Sequence, residues 1–218
     1  MKCTVGITAG DRESPTLGQT IASLRDAGFE SPRIFADGSF DIPSNLEVSV
    51  RSPSVGGWPN FWLALTEMVA RSPSSDLFLI VQDDVVFSKG VFDYLAAAKF
   101  PDECGVVSLF CPKCSNAQFG WHPFPTGFGM ASAQALAFPR EMAFQFLADP
   151  WTVNYRRSAP KSKHFRGDGL HHIDGVVGQW CRLNDKAAYT HSPSLSQHIG
   201  RDSIMYPGFR GKRDVTAQ

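Results

Sequence analysis

The sequence has no excess of charge of either sign. Its 218 residues include 21 basic and 21 acidic side chains, which give a formal net charge of zero at pH 7. Binding to nucleic acid or to an anionic membrane depends on an excess of positive charge, so we expect neither partner. No apolar stretch reaches the roughly 20 residues that a membrane-spanning helix needs. Met1-Lys2-Cys3 leads into a strand-like segment without a signal-peptide pattern, so the sequence predicts a soluble, cytoplasmic protein with no membrane span.

Cysteine is scarce, and its five positions are scattered along the chain (Cys3, Cys104, Cys111, Cys114 and Cys181). An odd and scattered set argues against the disulfide framework of a small secreted protein. Cys111 and Cys114 form a lone Cys-x-x-Cys motif, whereas a structural zinc ion needs four ligands. Cys104 and His122 could complete such a site, so zinc binding stays open beside the favoured interpretation of two buried or loop thiols.

The N-terminal segment alternates between strand and helix patterns. Lys2–Thr8 has the pattern of a strand, Pro15 opens a helix that Gly28 ends, and Ser31–Ala36 has the pattern of a second strand. A β-α-β unit of about 35 residues implies two parallel strands joined by a right-handed crossover. We therefore predict an α/β protein with a mainly parallel central sheet.

The rest of the chain continues this alternation and is long enough for one large domain, residues 1–218. Further strands are predicted at Leu46–Val50, Leu77–Val81, Gly105–Phe110, Ala133–Phe138 and Ala187–Ser192. Long loops are predicted at Ser52–Asn60, Cys111–Gly129 and Trp151–Gly169. Residues 204–218 include a basic end with few apolar residues, so we expect a mobile tail there.

Two acidic residues follow the most apolar strand. Leu77–Val81 has the composition of a strand that is buried on both faces, and Gln82-Asp83-Asp84 comes directly after it. Adjacent carboxylates at the end of such a strand repel each other unless a cation or hydrogen-bond donors hold them. Ligands of open α/β sheets bind at the carboxyl ends of the strands. The pattern indicates a divalent metal that carries a phosphorylated ligand, and a solvated turn is the alternative.

Polar residues also follow the first two strands. Thr8, Asp11 and Arg12 occupy the position where a nucleotide base or ribose would lie, and Asp37 ends the second strand at the same edge. The turn after the first strand lacks the G-x-G-x-x-G pattern, which disfavours a dinucleotide site of that kind.

Two loops offer further contacts to a ligand. Gly57 and Asn60 lie near the start of a predicted helix, where free backbone N–H groups suit a phosphate or a sugar hydroxyl. An ordinary loop is the alternative for the glycine pair Gly56-Gly57. Trp121 and His122 belong to an aromatic-rich loop whose rings could stack on a sugar, so we predict that they line an acceptor.

Taken together, these elements resemble a GT-A glycosyltransferase, and the C-terminal motifs resemble the N-acetylglucosaminyltransferase IV family of N-glycan branching enzymes. Two stretches carry the second resemblance: Ile173-Asp174-Gly175-Val176-Val177, and Pro193-Ser194-Leu195-Ser196-Gln197-His198-Ile199-Gly200 followed by Ser203. The resemblance implies a Rossmann-like three-layer fold and an inverting transfer of GlcNAc or another hexose. The donor would be a UDP-sugar, the cofactor Mn²⁺ or Mg²⁺, and the acceptor a carbohydrate or another hydroxyl compound.

The resemblance also implies roles for single residues. Asp84 would ligate the metal directly, His198 would be the second protein ligand, and Asp83 would contact the ribose or the donor sugar. Asp174 would act as the base on the acceptor hydroxyl, although an acid in the first turn of a helix also serves as a cap. Gln82 stands where the family has a first acid. A nucleotidyltransferase and a non-catalytic nucleotide-sugar-binding module are the alternative functions.

Overall fold

The computed structural model describes residues 1–42, 45–111, 118–124, 133–158 and 173–200, without the side chains of residues 155–158. The strands are β1 (Cys3–Gly10), β2 (Arg33–Asp37), β3 (Val48–Arg51), β4 (Leu77–Gln82), β5 (Val85–Phe87), β6 (Cys104–Ser108), β7 (Gly120–Pro123), β8 (Ala135–Pro139), β9 (Ala187–Ser192) and β10 (Ser196–His198). The helices are α1 (Leu17–Asp26), α2 (Gly57–Arg71), α3 (Val91–Ala97), α4 (Arg140–Ala148), α5 (Pro150–Ser158) and α6 (Ile173–Leu183).

Eight of the strands form one central sheet in the order β3-β2-β1-β4-β8-β6-β9-β7. Strands β3, β2, β1 and β4 are parallel neighbours, and β6 and β9 are a second parallel pair. Strands β8 and β7 run antiparallel to their partners. The predicted α/β class with a mainly parallel sheet is therefore confirmed. We call the edge at which the parallel strands end the carboxyl edge.

Strand β4 lies between two hydrophobic cores, as its uninterrupted apolar run predicts. Successive side chains of a strand point to opposite faces, so Phe78 and Ile80 join one core while Leu77, Leu79 and Val81 join the other. Residues of α2, α4 and α6 complete the first core, and residues of α1 and α3 complete the second. The burial of both faces holds the end of β4 in one position.

A second sheet of two strands begins directly after β4 in the chain. Strand β5 pairs antiparallel with β10, and this register places Val85 opposite His198. The backbone N–H of Ile199 donates to the carbonyl of Asp84 at 2.8 Å, which continues the pairing. The C-terminal segment is thereby brought to the end of β4.

Three predicted loops contain regular structure. Strand β7 lies inside the predicted loop Cys111–Gly129, where it pairs with β9. Helix α2 begins at Gly57, inside the predicted loop Ser52–Asn60. Helix α5 occupies the start of the predicted loop Trp151–Gly169, and the rest of that loop and the predicted tail 204–218 lie outside the described residues.

The start of α5 has a local cause that the sequence contains. A carboxylate oxygen of Asp149 accepts the backbone N–H of Trp151 at 2.7 Å, and Pro150 stands at the first helical position. An aspartate before a proline is a helix-start signal. The polar composition of Trp151–Gly169 favours a loop, and for this reason the helix is absent from the sequence prediction.

Candidate active site

The carboxyl edge gathers most of the predicted site residues. Strand β1 ends at Gly10, β2 ends at Asp37, and β4 ends at Gln82, directly before the acidic pair. Helix α2 begins near this edge because it follows β3. The residues come together because parallel strands all end at the same edge of a sheet.

Helix α6 also begins at the carboxyl edge. Only residues 184–186 join its end to the start of β9, and it packs against β6 and β9. The helix therefore runs back along the sheet, so that its first turn lies at the edge where β9 ends. Asp174 stands in that first turn, half-buried, and one of its carboxylate oxygens accepts the backbone N–H of Gly175 at 2.9 Å.

Asp84 is the centre of the site. It is only 3% exposed, yet its Oδ2 lies 2.9 Å from Nη2 of Arg12 and 3.0 Å from Nε2 of His198. Its other carboxylate oxygen, Oδ1, is buried and has no hydrogen-bond partner. A buried carboxylate oxygen normally has a partner, so this one marks a position for an additional donor or cation.

The guanidinium of Arg12 holds the two acids together. Its Nε and Nη2 atoms lie 2.9 Å and 2.6 Å from Oδ1 of Asp83, and the same Nη2 reaches Asp84. The other oxygen of Asp83 accepts the backbone N–H of Gly10 at 3.3 Å. A cation therefore does offset the repulsion between the carboxylates, but within the described structure that cation is Arg12.

The cluster shifts the pKa values of its members. For Asp84, burial raises the pKa, but the hydrogen bond with His198 and the charge of Arg12 outweigh burial and lower it. For Asp83, burial prevails and the pKa is raised, although Arg12 opposes the shift. For Arg12, burial lowers the pKa, but contacts with both aspartates outweigh burial and raise it. Asp84 is thus a carboxylate at neutral pH.

Two threonines, the N-cap residue Thr16 and Thr20 inside α1, hold the acidic turn from behind. The hydroxyl groups of Thr16 and Thr20 both donate to the backbone carbonyl of Asp83 at 2.8 Å. The oxygen of Thr20 also accepts the backbone N–H of Val85 at 3.2 Å. Thr20 is completely buried, and its hydroxyl bridges the residues on both sides of Asp84. Sequence reasoning missed both residues, although their spacing of four places them on one helix face.

Gly200 borders the same cluster. A Cβ atom at this position would clash with Oδ2 of Asp84 and would lie 2.9 Å from Nε2 of His198. Glycine therefore leaves space beside both predicted metal ligands that any other residue would fill.

The donor set fits a divalent metal with two protein ligands. Within the described ranges, no group of three or more His, Cys, Asp or Glu side chains could hold a metal ion. Asp84 and His198 instead supply one carboxylate and one imidazole, a combination that suits Mn²⁺. The remaining coordination positions would belong to oxygen atoms of a ligand or of water.

The other predicted nucleotide contacts have different surroundings. Thr8 donates from its hydroxyl to the carbonyl of Val81 at 3.3 Å, and Asp11 is exposed. The carboxylate of Asp37 accepts the backbone N–H groups of Val55 and Gly56 at 2.6 Å and 2.9 Å. Asp37 therefore fixes the loop that leads into α2.

Gly57 and Asn60 differ in their accessibility. Gly57 is the first residue of α2 and is partly exposed. Asn60 is 2% exposed, and its amide donates to the carbonyl of Phe35 at 2.9 Å. Its side-chain oxygen accepts from Nε of Arg51 at 3.3 Å. The contacts of Asn60 are those of a packing residue, so we leave it out of the ligand site proposed below.

Trp121 and His122 lie on β7, away from the acidic pair in the sheet order. The ring of Trp121 packs against Phe100 and His191, with centroid separations of 5.3 Å and 4.9 Å. His122 Nε2 donates to the carbonyl of Gln118 at 2.5 Å. The structure therefore gives Trp121 a packing role beside any contact with an acceptor.

The cysteines differ in their oxidation state: Cys111 is in a disulfide, whereas Cys104 is a free thiol. Cys111 is disulfide-bonded, so the interpretation of two thiols in the Cys-x-x-Cys motif is wrong for this residue. Cys104 is a buried thiol whose pKa burial raises to about 12. A disulfide-bonded sulfur is not a thiolate, so Cys111 does not supply a zinc ligand.

Comparisons with known proteins give structural similarity without sequence similarity. No protein-family model matches the chain, and no curated protein matches its sequence significantly. GalNAc-T7, solved with UDP, GalNAc and Mn²⁺, has a TM-score of 0.62 at 10% identity, covering 91% of this chain and 44% of its own. S. aureus TarS 1–349 in complex with UDP-GlcNAc has a TM-score of 0.56 at 15% identity, covering 94% of this chain and 60% of its own. Another TarS structure has the same TM-score and identity, with 92% and 37% covered.

These similarities establish the fold. The chain has the GT-A fold of glycosyltransferases, which confirms the predicted fold class. It spans between 37% and 60% of the lengths of these three chains. The sequence resemblance to the N-acetylglucosaminyltransferase IV family stays a prediction. No helix among the described residues has both the length and the hydropathy to cross a membrane.

Proposed function

We propose that this chain is a metal-dependent, inverting glycosyltransferase that moves a hexose from a UDP-sugar to an acceptor hydroxyl. The observation that carries the proposal is the contact between Asp84 and His198 at 3.0 Å, at the carboxyl edge of a GT-A fold. Asp84 Oδ1 is buried without a partner beside this contact. Such a pair can bind a cation while leaving coordination positions for the donor diphosphate.

In this proposal, Asp84 and His198 hold Mn²⁺ or Mg²⁺. When bound, the cation supplies charge neutralisation for the departing diphosphate. Asp84 is ionised at neutral pH because its pKa is lowered, so it is ready to act as a ligand. Gly200 keeps the space beside both ligands open. Thr20 holds the backbone on both sides of Asp84.

The nucleotide would lie over the ends of β1 and β2. Thr8, Asp11 and Asp37 stand at these strand ends, where the base and the ribose of the donor would be placed. The backbone at Gly57, in the first turn of α2, would offer N–H groups to phosphate or sugar oxygens. Asp83, the predicted contact to the ribose or the donor sugar, also supports this site because its carboxylate holds Arg12 in place.

Asp174 would be the base. It lies at the start of α6 at the carboxyl edge, on the opposite face of the sheet from α1. A carboxylate within reach of the acceptor hydroxyl would take its proton as the hydroxyl oxygen attacks the anomeric carbon. The attack from the side opposite the diphosphate inverts the configuration, so no covalent nucleophile is needed.

A non-catalytic nucleotide-sugar-binding module is the second candidate. The observation that favours it is that Arg12 already neutralises both carboxylates, and that Gln82 stands in place of a further acid. Such a module would bind UDP-sugars in the same place but would not release the sugar.

The experiment is a donor screen with and without metal. The purified chain is incubated with UDP-GlcNAc, UDP-GalNAc and other UDP-sugars in Mn²⁺, and then in a chelator, while released UDP is measured. We expect UDP release that depends on metal and that Asp84→Asn abolishes. Asp93→Asn is the matched control, because Asp93 is an exposed acid in α3.

The outcomes separate the alternatives. Metal-dependent UDP binding without sugar release from any donor would favour the binding module. Release of pyrophosphate from a nucleoside triphosphate would favour a nucleotidyltransferase. The proposal is wrong if no UDP-sugar turns over and metal leaves UDP binding unchanged.

A further inference from the structure

We propose that Arg12 couples metal binding to nucleotide binding: its guanidinium neutralises Asp84 in the free protein, and a divalent cation bound to Asp84 repels it from that carboxylate. The proposal rests on the metal site of the proposed function. It adds a coupling between the two ligands, in which the metal and the nucleotide each favour the arrangement of Arg12 that the other requires.

The contacts of Arg12 with the two acids are unequal. Asp83 receives both Nε and Nη2 of the guanidinium, at 2.9 Å and 2.6 Å, whereas Asp84 receives Nη2 alone at 2.9 Å. The loss of the contact with Asp84 would therefore leave Arg12 still held by Asp83. Arg12 can exchange one partner without leaving the site.

Arg12 and His198 contact the same oxygen of Asp84. Oδ2 lies within 3.0 Å of both Arg12 Nη2 and His198 Nε2, whereas Oδ1 is buried without a partner. A divalent cation bound to Asp84 and His198 would lie next to the positive guanidinium, in surroundings where the aspartates are almost completely buried. Like charges repel strongly where water is excluded, so a cation bound to Asp84, even through Oδ1, would weaken the contact between Arg12 and that carboxylate.

A diphosphate would stabilise the guanidinium after its contact with Asp84 is weakened. An Nη2 atom that has left Asp84 remains at the carboxyl edge as a donor for a negatively charged oxygen, and guanidinium groups bind phosphate well. UDP would therefore stabilise the arrangement that the metal requires, and the metal would stabilise the arrangement that UDP requires. Linkage makes this effect reciprocal: each ligand strengthens the binding of the other by the same factor.

The experiment measures Mn²⁺ binding by the electron paramagnetic resonance signal of the free ion, with and without UDP. Removal of the guanidinium in Arg12→Gln leaves Asp84 open, so we expect Mn²⁺ alone to bind at least tenfold more tightly than in the wild type. UDP should strengthen Mn²⁺ binding in the wild type by a larger factor than in this variant. Arg12→Lys keeps the positive charge and should resemble the wild type without UDP.

Two further variants control for the loss of an arginine elsewhere and for unfolding or a change in net charge. Arg33→Gln is the matched control, because Arg33 pairs with Glu47 beside the edge strand β3; it should bind Mn²⁺ as the wild type does. Arg12→Gln alone leaves two buried acids without their cation and could unfold. The double variant Arg12→Gln/Asp83→Asn removes one charge of each sign, so a tighter binding of Mn²⁺ in it cannot come from net charge.

The outcomes distinguish this proposal from the proposed function. If the wild type binds Mn²⁺ and the folded proteins among Arg12→Gln and the double variant bind it no more tightly, the coupling role of Arg12 is overturned while the metal site stands. If none of the proteins binds Mn²⁺, even with UDP, the metal site itself is overturned together with this role. Tighter binding in Arg12→Gln and in the double variant, with a smaller effect of UDP than in the wild type, is the result that supports it.

Discussion

Nε2 of His198 lies 3.0 Å from Oδ2 of Asp84, although 114 residues separate the two in the chain. Backbone pairing between β5 and β10 sets this distance, since the register places His198 opposite Val85. The N–H of Ile199 then donates to the carbonyl of Asp84 itself. The contact between the side chains is therefore a consequence of strand pairing rather than of two flexible groups that happen to meet.

Replacement of this histidine should weaken metal-assisted binding while leaving the fold intact. We expect His198→Gln to reduce UDP affinity in Mn²⁺ by about tenfold or more, which corresponds to about 1.4 kcal/mol. The reason is that the imidazole ligand is lost, whereas the side chain is 32% exposed and contributes little packing. Calorimetry with UDP in Mn²⁺ and in chelator measures the effect. His122→Gln is the control, and equal UDP affinities of the two variants in Mn²⁺ would contradict the role of His198.

A methyl group at Gly200 should block the site. Gly200→Ala would place its Cβ against Asp84 Oδ2 and 2.9 Å from His198 Nε2, so we expect metal-dependent UDP binding to fall by about tenfold or more. Gly18→Ala is the control, because a Cβ at that position in α1 meets no atom within 4 Å. The same calorimetric titration tests both variants. Unchanged UDP binding in Gly200→Ala would show that the space is not needed.

The hydroxyl of Thr20 should stabilise the acidic turn. Thr20→Val keeps the shape of the side chain but removes the hydroxyl that donates to the carbonyl of Asp83 and accepts from the N–H of Val85. Because buried polar groups would lose their partners, we expect the free energy of unfolding to fall by about 1–3 kcal/mol. Urea denaturation measures the change, and Thr20→Ser, which keeps the hydroxyl, should recover part of it. An unchanged denaturation midpoint in Thr20→Val would refute this role.

Substitution of Asp174 should separate catalysis from binding. Asp174→Asn removes the proposed base but keeps the size of the side chain, so we expect transfer to be abolished while UDP-sugar binding stays nearly unchanged. Transfer assays and calorimetry are run on the same preparation, with Asp93→Asn as the control. Substantial transfer by Asp174→Asn would mean that another group is the base.

The buried cysteines should resist alkylation at mildly alkaline pH. Burial raises the pKa of both Cys104 and Cys181 from 9.0 to about 12, so the reactive thiolate is rare in the folded protein at pH 9. Between pH 9 and 12, the unfolded chain releases protons that the folded protein retains. The contribution of these thiols to stability is therefore present below pH 9 and is lost as the pH rises toward 12.

Mass spectrometry after treatment with iodoacetamide at pH 9 tests this expectation. Both residues should stay unmodified in the folded protein and should react when the chain is unfolded in guanidinium chloride. Rapid modification in the folded protein would contradict the burial of these thiols.

Much of the framework follows from local patterns in the sequence. The uninterrupted apolar run Leu77–Val81 predicts a strand buried on both faces, and the structure places it between two cores. This prediction depends only on the composition of the run itself and not on the elements that pack against it. The position of Asp83 and Asp84 at the carboxyl edge follows as well, because a residue after a parallel strand has nowhere else to lie.

The tertiary structure decided what depends on distant partners. Strand β7 and the pair β5–β10 form only because the matching strand is present elsewhere in the chain. Asparagine is typical of exposed loops, yet Asn60 is buried because its amide donates to the carbonyl of Phe35. Arg12 could have contacted a nucleotide directly, but the buried acids are its nearest negative charges in the folded protein. The alternation of strands and helices places the residues that follow β1, β2 and β4 at the carboxyl edge, because parallel strands end at one edge of a sheet. The arrival of His198 at this edge, and the contacts that Arg12 makes there, depend on long-range strand pairing and on charges that are far apart in the chain.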